Sequence, residues 1–152
     1  MTRAPVPVPR SMLSVPGSSE RFIGKARDVR ADAIAFDLED SVAPREKVTA
    51  RRLVAVALAD FPADGRELWV RPNALDSDLL EADLDAVVVP GLHGLHLPKV
   101  DDTDTLMAEA PAAITAGASA CPGAGCYRLH SQCSGVYDSA ENSVIPAVRP
   151  RA

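Results

Sequence analysis

The chain has 152 residues, enough for one domain with a sizeable core, and its 47% hydrophobic and 24% charged residues are the mixture of a globular protein rather than a disordered one. A net charge of −5 argues against a nucleic-acid or anionic-membrane surface, since both need clustered Lys and Arg. No run approaches the roughly 18–20 apolar residues of a membrane span, and the Pro-rich start lacks the apolar centre of a secretory leader, so residues 1–10 read as a flexible lead and the expected location is cytoplasmic.

From Arg10 to Leu106, short β-branched runs alternate with longer amphipathic ones. A first strand is predicted over Ser11–Val15, stopped by Pro16-Gly17. A helix from about Ser19 to Val29 follows, with Ser18 or Ser19 as N-cap and Phe22, Ile23, Ala26 and Val29 on one face. The second strand is Ala33–Leu38. The next helix runs from about Pro44 to Ala59, with Pro44 suited to its first turn and Leu53, Val56 and Ala57 as its apolar stripe. The third strand is Glu67–Arg71, followed by a short helix over about Ser77–Ala86. The fourth strand is Gly94–Leu97, and a last helix starts near Asp102 or Thr103. Repeated strand–helix alternation implies a parallel sheet covered by helices, as in a (β/α)₈ barrel or a doubly wound sheet.

After about Met107 the hydrophobic period is lost, and residues 109–152 read as an irregular tail, either a flexible extension or the product of a reading-frame change. Its cysteines, Cys121, Cys126 and Cys133, could be grouped with His130, but the spacing matches no common zinc pattern, and incidental thiols are the expectation.

Four motifs fall at predicted strand ends, where α/β folds place their active sites. Phe36-Asp37-Leu38-Glu39-Asp40-Ser41-Val42 sets Asp37, Glu39 and Asp40 within four residues. Such crowding of like charge suits a divalent cation, held directly or through its waters, or a base; the plainer reading is a polar turn. Trp69-Val70-Arg71-Pro72-Asn73 would bring Arg71 to the same rim. That guanidinium could hold a substrate carboxylate or simply bridge to Asp37 or Glu39, and Asn73 could cap or contact substrate. Leu97-Pro98-Lys99-Val100 offers Lys99 as a cation, a Schiff-base lysine or a solvated loop residue, and His96 reads as a sheet position. Val15-Pro16-Gly17-Ser18-Ser19-Glu20-Arg21 could hold a phosphate on backbone amides, helped by Arg21 or Lys25, although it lacks the Walker spacing.

In this order, Arg-Ser-Met-Leu-Ser-Val-Pro-Gly-Ser, Asp-Leu-Glu-Asp-Ser-Val-Ala-Pro, Val-Arg-Pro-Asn-Ala-Leu and Leu-Pro-Lys-Val resemble the HpcH/HpaI aldolase/citrate lyase family, in its citrate lyase β-subunit and CoA-ester lyase branch, over about residues 10–106. The resemblance implies the N-terminal half of a TIM (β/α)₈ barrel, about four β/α units over residues 11–108, from a homo-oligomeric enzyme. It implies Mg²⁺-dependent cleavage or formation of a 3-hydroxyacyl-CoA such as citryl-CoA or malyl-CoA, with acyl-CoA and 2-oxo acid as partners and neither nucleic acid nor membrane. By the likeness, Arg71 grips the 2-oxo acid carboxylate with Asn73 beside it. Glu39 and Asp40 are the catalytic acids, holding metal-bound waters or moving a proton, and Arg21 and Lys25 meet the CoA phosphates. The family's direct metal ligands, a Glu on the fifth strand and an Asp after the sixth, have no counterpart motifs; residue counting from Gly135-Val136-Tyr137 puts Ser131 at the Glu position. An open half-barrel is expected to be poorly stable and without lyase activity. A haloacid-dehalogenase-like phosphohydrolase and a response-regulator-like domain, each built on Asp37, stand as alternatives.

Overall fold

The computed structural model describes residues 9–99 and the strand at 128–131. Five strands form one parallel sheet: β1 (Met12–Pro16), β2 (Ala33–Asp37), β3 (Glu67–Arg71), β4 (Gly94–Leu97) and β5 (Arg128–Ser131), ordered β1-β2-β3-β4-β5. The crossovers carry α1 (Glu20–Ala26), a 3₁₀ turn (Pro44–Glu46) leading into α2 (Lys47–Asp60), and α3 (Leu80–Val87). Each strand pairs with its predecessor in sequence, which is how a (β/α) barrel winds. A doubly wound sheet reverses its order at a switch point. That topology overturns both the response-regulator and the haloacid-dehalogenase alternatives.

Successive residues along the strands turn to opposite faces of the sheet, and β2 is buried on both. Ile34, Phe36, Leu68, Val70, Leu95 and Leu97 belong to the large core, with Ile23 and Ala26 of α1, Ala50, Val54, Ala57 and Leu58 of α2, and Leu80, Leu84 and Val87 of α3. Residues of the opposite parity, Ala33, Ala35 and Trp69, make a small cluster on the other face. At the end of β1, Gly17 lies so close to β2 that a Cβ would sit 2.7 Å from the Asp37 carbonyl oxygen and 2.9 Å from Val54. Only glycine fits there, which explains the Pro16-Gly17 stop.

Several predicted boundaries shift for identifiable reasons. Helix α1 ends at Ala26 rather than Val29, because i→i−3 bonds such as Arg27 N–H to Gly24 O (3.2 Å) tighten its last turn. Arg66 then donates to the carbonyls of Ala26, Arg27 and Val29. Of the stripe assigned to α1, Ile23 and Ala26 are buried while Phe22 and Val29 are exposed. The α2 stripe is likewise rotated: Ala50, Val54, Ala57 and Leu58 face inward, and Val56 is exposed. Helix α3 begins at Leu80, after a turn capped by the Ser77 hydroxyl accepting from Leu79 N–H. Strands β3 and β4 match their predicted limits. Strand β5 lies within the stretch expected to be irregular and pairs with β4 from Gly94↔Arg128 to Leu97↔Ser131. It ends at Ser131, the residue that counting placed on a fifth strand. The expected helix near Asp102 and the three cysteines lie outside the described residues.

Candidate functional site

The C-terminal strand ends gather the charged motifs. Asp37 closes β2 and Arg71 closes β3, and they are register partners. Arg71 donates two parallel hydrogen bonds to the Asp37 carboxylate, Nε to Oδ1 at 2.8 Å and Nη2 to Oδ2 at 2.7 Å. Asp37 also accepts from the backbone N–H groups of Glu39 (2.8 Å) and Ser41 (3.1 Å), and so folds the turn that follows it. Burial alone would raise the Asp37 pKa; the Arg71 bonds, then those from Ser41 and Glu39, overcome it and hold the carboxyl at about 2. The Arg71 pKa is raised, chiefly by its bonds to Asp37. With both oxygens engaged and 1% exposure, Asp37 is not presented as a phospho-acceptor or nucleophile.

The turn presents Glu39 and Asp40 differently. Glu39 is buried, at 6% exposure, yet neither carboxylate oxygen receives a directed hydrogen bond. Its nearest charges are Lys99 Nζ, 2.8 Å from Oε1, and Arg71 Nη1, 3.6 Å from Oε2. Asp40 is exposed, with Arg71 Nη1 at 3.6 Å and Lys99 Nζ at 3.8 Å. Lys99 follows the end of β4 with φ 54°, in the left-handed region, and the Glu39 contact and then the Asp40 charge raise its pKa.

Beneath the turn lies a network with no counterpart among the sequence-based expectations. Lys47, the first residue of α2, is buried and donates to Leu38 O (2.6 Å), Glu39 O (2.7 Å) and Asn73 Oδ1 (2.7 Å). The Asn73 backbone N–H and Nδ2 both donate to Asp83 Oδ2, at 2.7 and 2.6 Å, and Arg51 Nε donates to Asp83 Oδ1 at 2.6 Å. Burial depresses the Lys47 pKa, against the opposing pull of Asp83, Asp37 and the rim acids. Asn73 therefore sits in the strand-end layer, with its side chain bonded to Lys47 and Asp83. The sequence did carry a signal: Lys47 and Arg51 continue the stripe of Ala50, Val54 and Ala57 toward the N-terminus of α2, and Asp83 interrupts Leu80, Leu84 and Val87 on α3. A charge on a buried stripe marks a paired interior group.

Glu39, Asp40, Asn73, Asp76, Ser77 and Lys99 line an open cleft of about 450 Å³. The rim thus unites Asp37, Glu39, Asp40, Arg71 and Lys99. Arg21 and Lys25 are exposed on α1 and do not line the cleft. A divalent cation fits the donor chemistry of Glu39 and Asp40: one carboxylate is buried without directed hydrogen bonds, its neighbour is open to water, and positive charge already gathers on both. Mg²⁺ commonly rests on one or two carboxylates and retains several waters. Among the described residues, no group of three or more His, Cys, Asp and Glu is arranged to hold a metal directly.

A sequentially wound parallel sheet with charged groups gathered at its C-terminal strand ends defines a segment of a (β/α) barrel. The HpcH/HpaI aldolase/citrate lyase family profile matches residues 10–123, and the chain belongs to that family. The match runs past Met107, beyond the four motifs. The chain is 37% identical over 137 residues to a (3S)-malyl-CoA thioesterase of Cereibacter sphaeroides, covering 90% of this chain and 45% of that protein. To the citrate lyase β subunit of Escherichia coli K12 it is 47% identical over 98 residues, covering 64% and 32%. Among solved structures, the M. tuberculosis citrate lyase β subunit complexed with oxaloacetate and magnesium aligns with a TM-score of 0.51 at 32% identity, over 66% of this chain and 43% of that one. A Haloferax volcanii malate synthase magnesium/glyoxylate complex aligns with a TM-score of 0.65 over 81% of this chain and 42% of that one; at 18% identity it speaks to the fold alone. The chain spans less than half the length of these relatives.

Proposed function

We propose that this chain carries the 2-oxo acid side of a Mg²⁺-dependent carbon–carbon lyase site, of the kind that cleaves or forms a 3-hydroxyacyl-CoA such as citryl-CoA or malyl-CoA. The observation that carries the reading is Glu39: a buried carboxylate without directed hydrogen bonds, beside Arg71 and Lys99, at the active end of a barrel sheet. The M. tuberculosis citrate lyase β subunit, complexed with oxaloacetate and magnesium, supports the same ligand classes.

In this reading Glu39 and Asp40 hold the waters of the cation, which supplies Lewis-acid polarisation of the 2-oxo acid carbonyl when bound. Arg71, oriented by its two bonds to Asp37, meets the substrate carboxylate. Asp37 and the Lys47–Asn73–Asp83 network keep the acids and the guanidinium in place, so Asn73 serves this reading as a positioning residue. Arg21 and Lys25, near the β1 end, would meet the CoA phosphates by charge alone. The chain by itself is expected to give no turnover, since among the described residues no three acids are grouped to hold a metal directly, Asp37 being engaged by Arg71.

The test is a transplant. Residues 10–107 would replace the aligned segment of the E. coli citrate lyase β subunit, and citryl-CoA cleavage would be measured with Mg²⁺. An active chimaera that loses on the order of 10²–10³ in kcat on Arg71→Met is expected. A folded but inactive chimaera, or one indifferent to Arg71→Met, would sink the reading.

A further inference from the structure

The rim carries a cation of its own, on a backbone that lysine rarely adopts. Lys99 has φ 54°, and among the described residues it is the one non-glycine at positive φ. Backbone in that region persists where the surroundings hold it, and such residues cluster at sites of function. Here the ammonium lies 2.8 Å from Glu39 Oε1 and 3.8 Å from Asp40 Oδ1. The partners are unequal: the Lys99 side chain is 65% exposed and that of Glu39 is 6% exposed. A solvated lysine on a flexible stem is easily withdrawn into water, whereas the Glu39 carboxylate is fixed and still lacks a directed donor. Three carboxylates, Asp37, Glu39 and Asp40, follow one another closely at this rim, and Arg71 makes its two directed bonds to the first while standing 3.6 Å from each of the other two. Of the two cations that face Glu39 and Asp40, Arg71 is anchored by Asp37 and Lys99 is the one on a solvated stem.

We infer that Lys99 is an exchangeable counter-ion: its ammonium neutralises Glu39 and Asp40 in the free protein and is released when a hydrated divalent cation is held at those acids. The two cations cannot share the site, because an ammonium at hydrogen-bonding distance from Oε1 occupies the position of a metal ion or its bound water and repels its charge. Once released, Lys99 stands at the cleft mouth as a solvated cation, next to where an anionic substrate would enter. The order of events follows: the metal displaces the lysine, and the lysine then meets the anion. This deepens the proposed reading, resting on it only in taking Glu39 and Asp40 as the acids that meet the cation.

The experiment measures Mn²⁺ binding to the full chain by the loss of the free-ion electron paramagnetic resonance signal at low ionic strength. Circular dichroism confirms that each variant is folded. Lys99→Met should bind Mn²⁺ about tenfold or more tightly than the unaltered chain, since the competing charge is gone. Lys99→Gly should do the same while also suiting the positive φ, and Lys99→Arg should bind like the unaltered chain. Glu39→Gln, alone or with Lys99→Met, should bind weakly or not at all. Equal or weaker binding by both Lys99→Met and Lys99→Gly overturns the exchange. If Glu39→Gln leaves binding untouched, the assignment of the acids is at fault; if it abolishes binding while both Lys99 variants bind no tighter, only the exchange fails.

Discussion

The two ends of the sheet use charge in opposite ways. At the N-terminal end, Arg66 commits its guanidinium to the carbonyls of Ala26, Arg27 and Val29 and to Asp64, lies over the Phe61 ring at 4.9 Å, and closes the last turn of α1. Asp32 at the same end accepts from the backbone N–H groups of Arg10 and Ser11. Charge there completes backbone hydrogen bonding, which is a stabilising use. At the C-terminal end the same chemistry stops one residue short: Asp37 is saturated, while Glu39 is buried and left without a directed donor. One end spends its charge on backbone groups, whereas the other sets charge against charge, with Glu39 held by the ion pairs of Lys99 and Arg71.

The comparison can be tested by removing charge in layers. The largest effect belongs to Asp83, which is fully buried and receives bonds from Arg51 and Asn73. Asp83→Ala strands both partners, and chemical denaturation should show a loss of about 3–5 kcal/mol. A smaller loss would mean that the layer under the rim repacks freely. Next is acid titration. The Asp37 carboxyl sits at about 2, below its ordinary value of 3.8, so its contribution is fully present above about pH 4 and disappears as pH falls toward 2. The difference is worth about 2 kcal/mol. Thermal melts should lose this limb in Asp37→Asn, and an unchanged acid limb would contradict the depressed pKa.

The smallest effect carries the sharpest contrast, because its sign differs between the ends. Arg66→Met should cost about 1–2 kcal/mol, since it uncovers three carbonyls. Glu39→Gln should cost nothing or stabilise by up to ~1 kcal/mol, because it relieves repulsion among three neighbouring carboxylates while its partner Lys99, largely exposed, can turn to water. Equal losses at both positions in a denaturant series would erase the distinction between the two ends.

The fold was legible where one interaction dominates. Strand β3 was readable to the residue because Trp69 and Val70 are followed by Pro72, and β4 because Leu95 and Leu97 are bounded by Gly94 and Pro98. The helix faces were less so. The inward face of α2 includes Lys47 and Arg51, which a hydrophobic pattern discards, and the stripe assigned to it was rotated as a result. The rim acids and Arg71 could be gathered from their places at strand ends, because parallel winding brings those ends together. Their individual partners could not: that Arg71 gives its two directed bonds to Asp37 and only a longer contact to Glu39 depends on strand register. Lys47, Asn73 and Asp83 form their network across 36 residues, from Lys47 to Asp83, and no local pattern encodes it. Strand β5 was obscured because Arg128-Leu129-His130-Ser131 carries a single apolar residue, where β4 carries Leu95 and Leu97.

The sequential order of the strands has a consequence for assembly. Register partners in neighbouring strands stand 21 residues apart from Met12 to Ala33 and 34 apart from Ala33 to Glu67. No strand waits for a distant one, so the sheet can grow by accretion at one margin as the polypeptide leaves the ribosome. Each added β/α unit would dock on a finished surface, and the carboxylate turn after β2 would acquire its guanidinium only when β3 arrives.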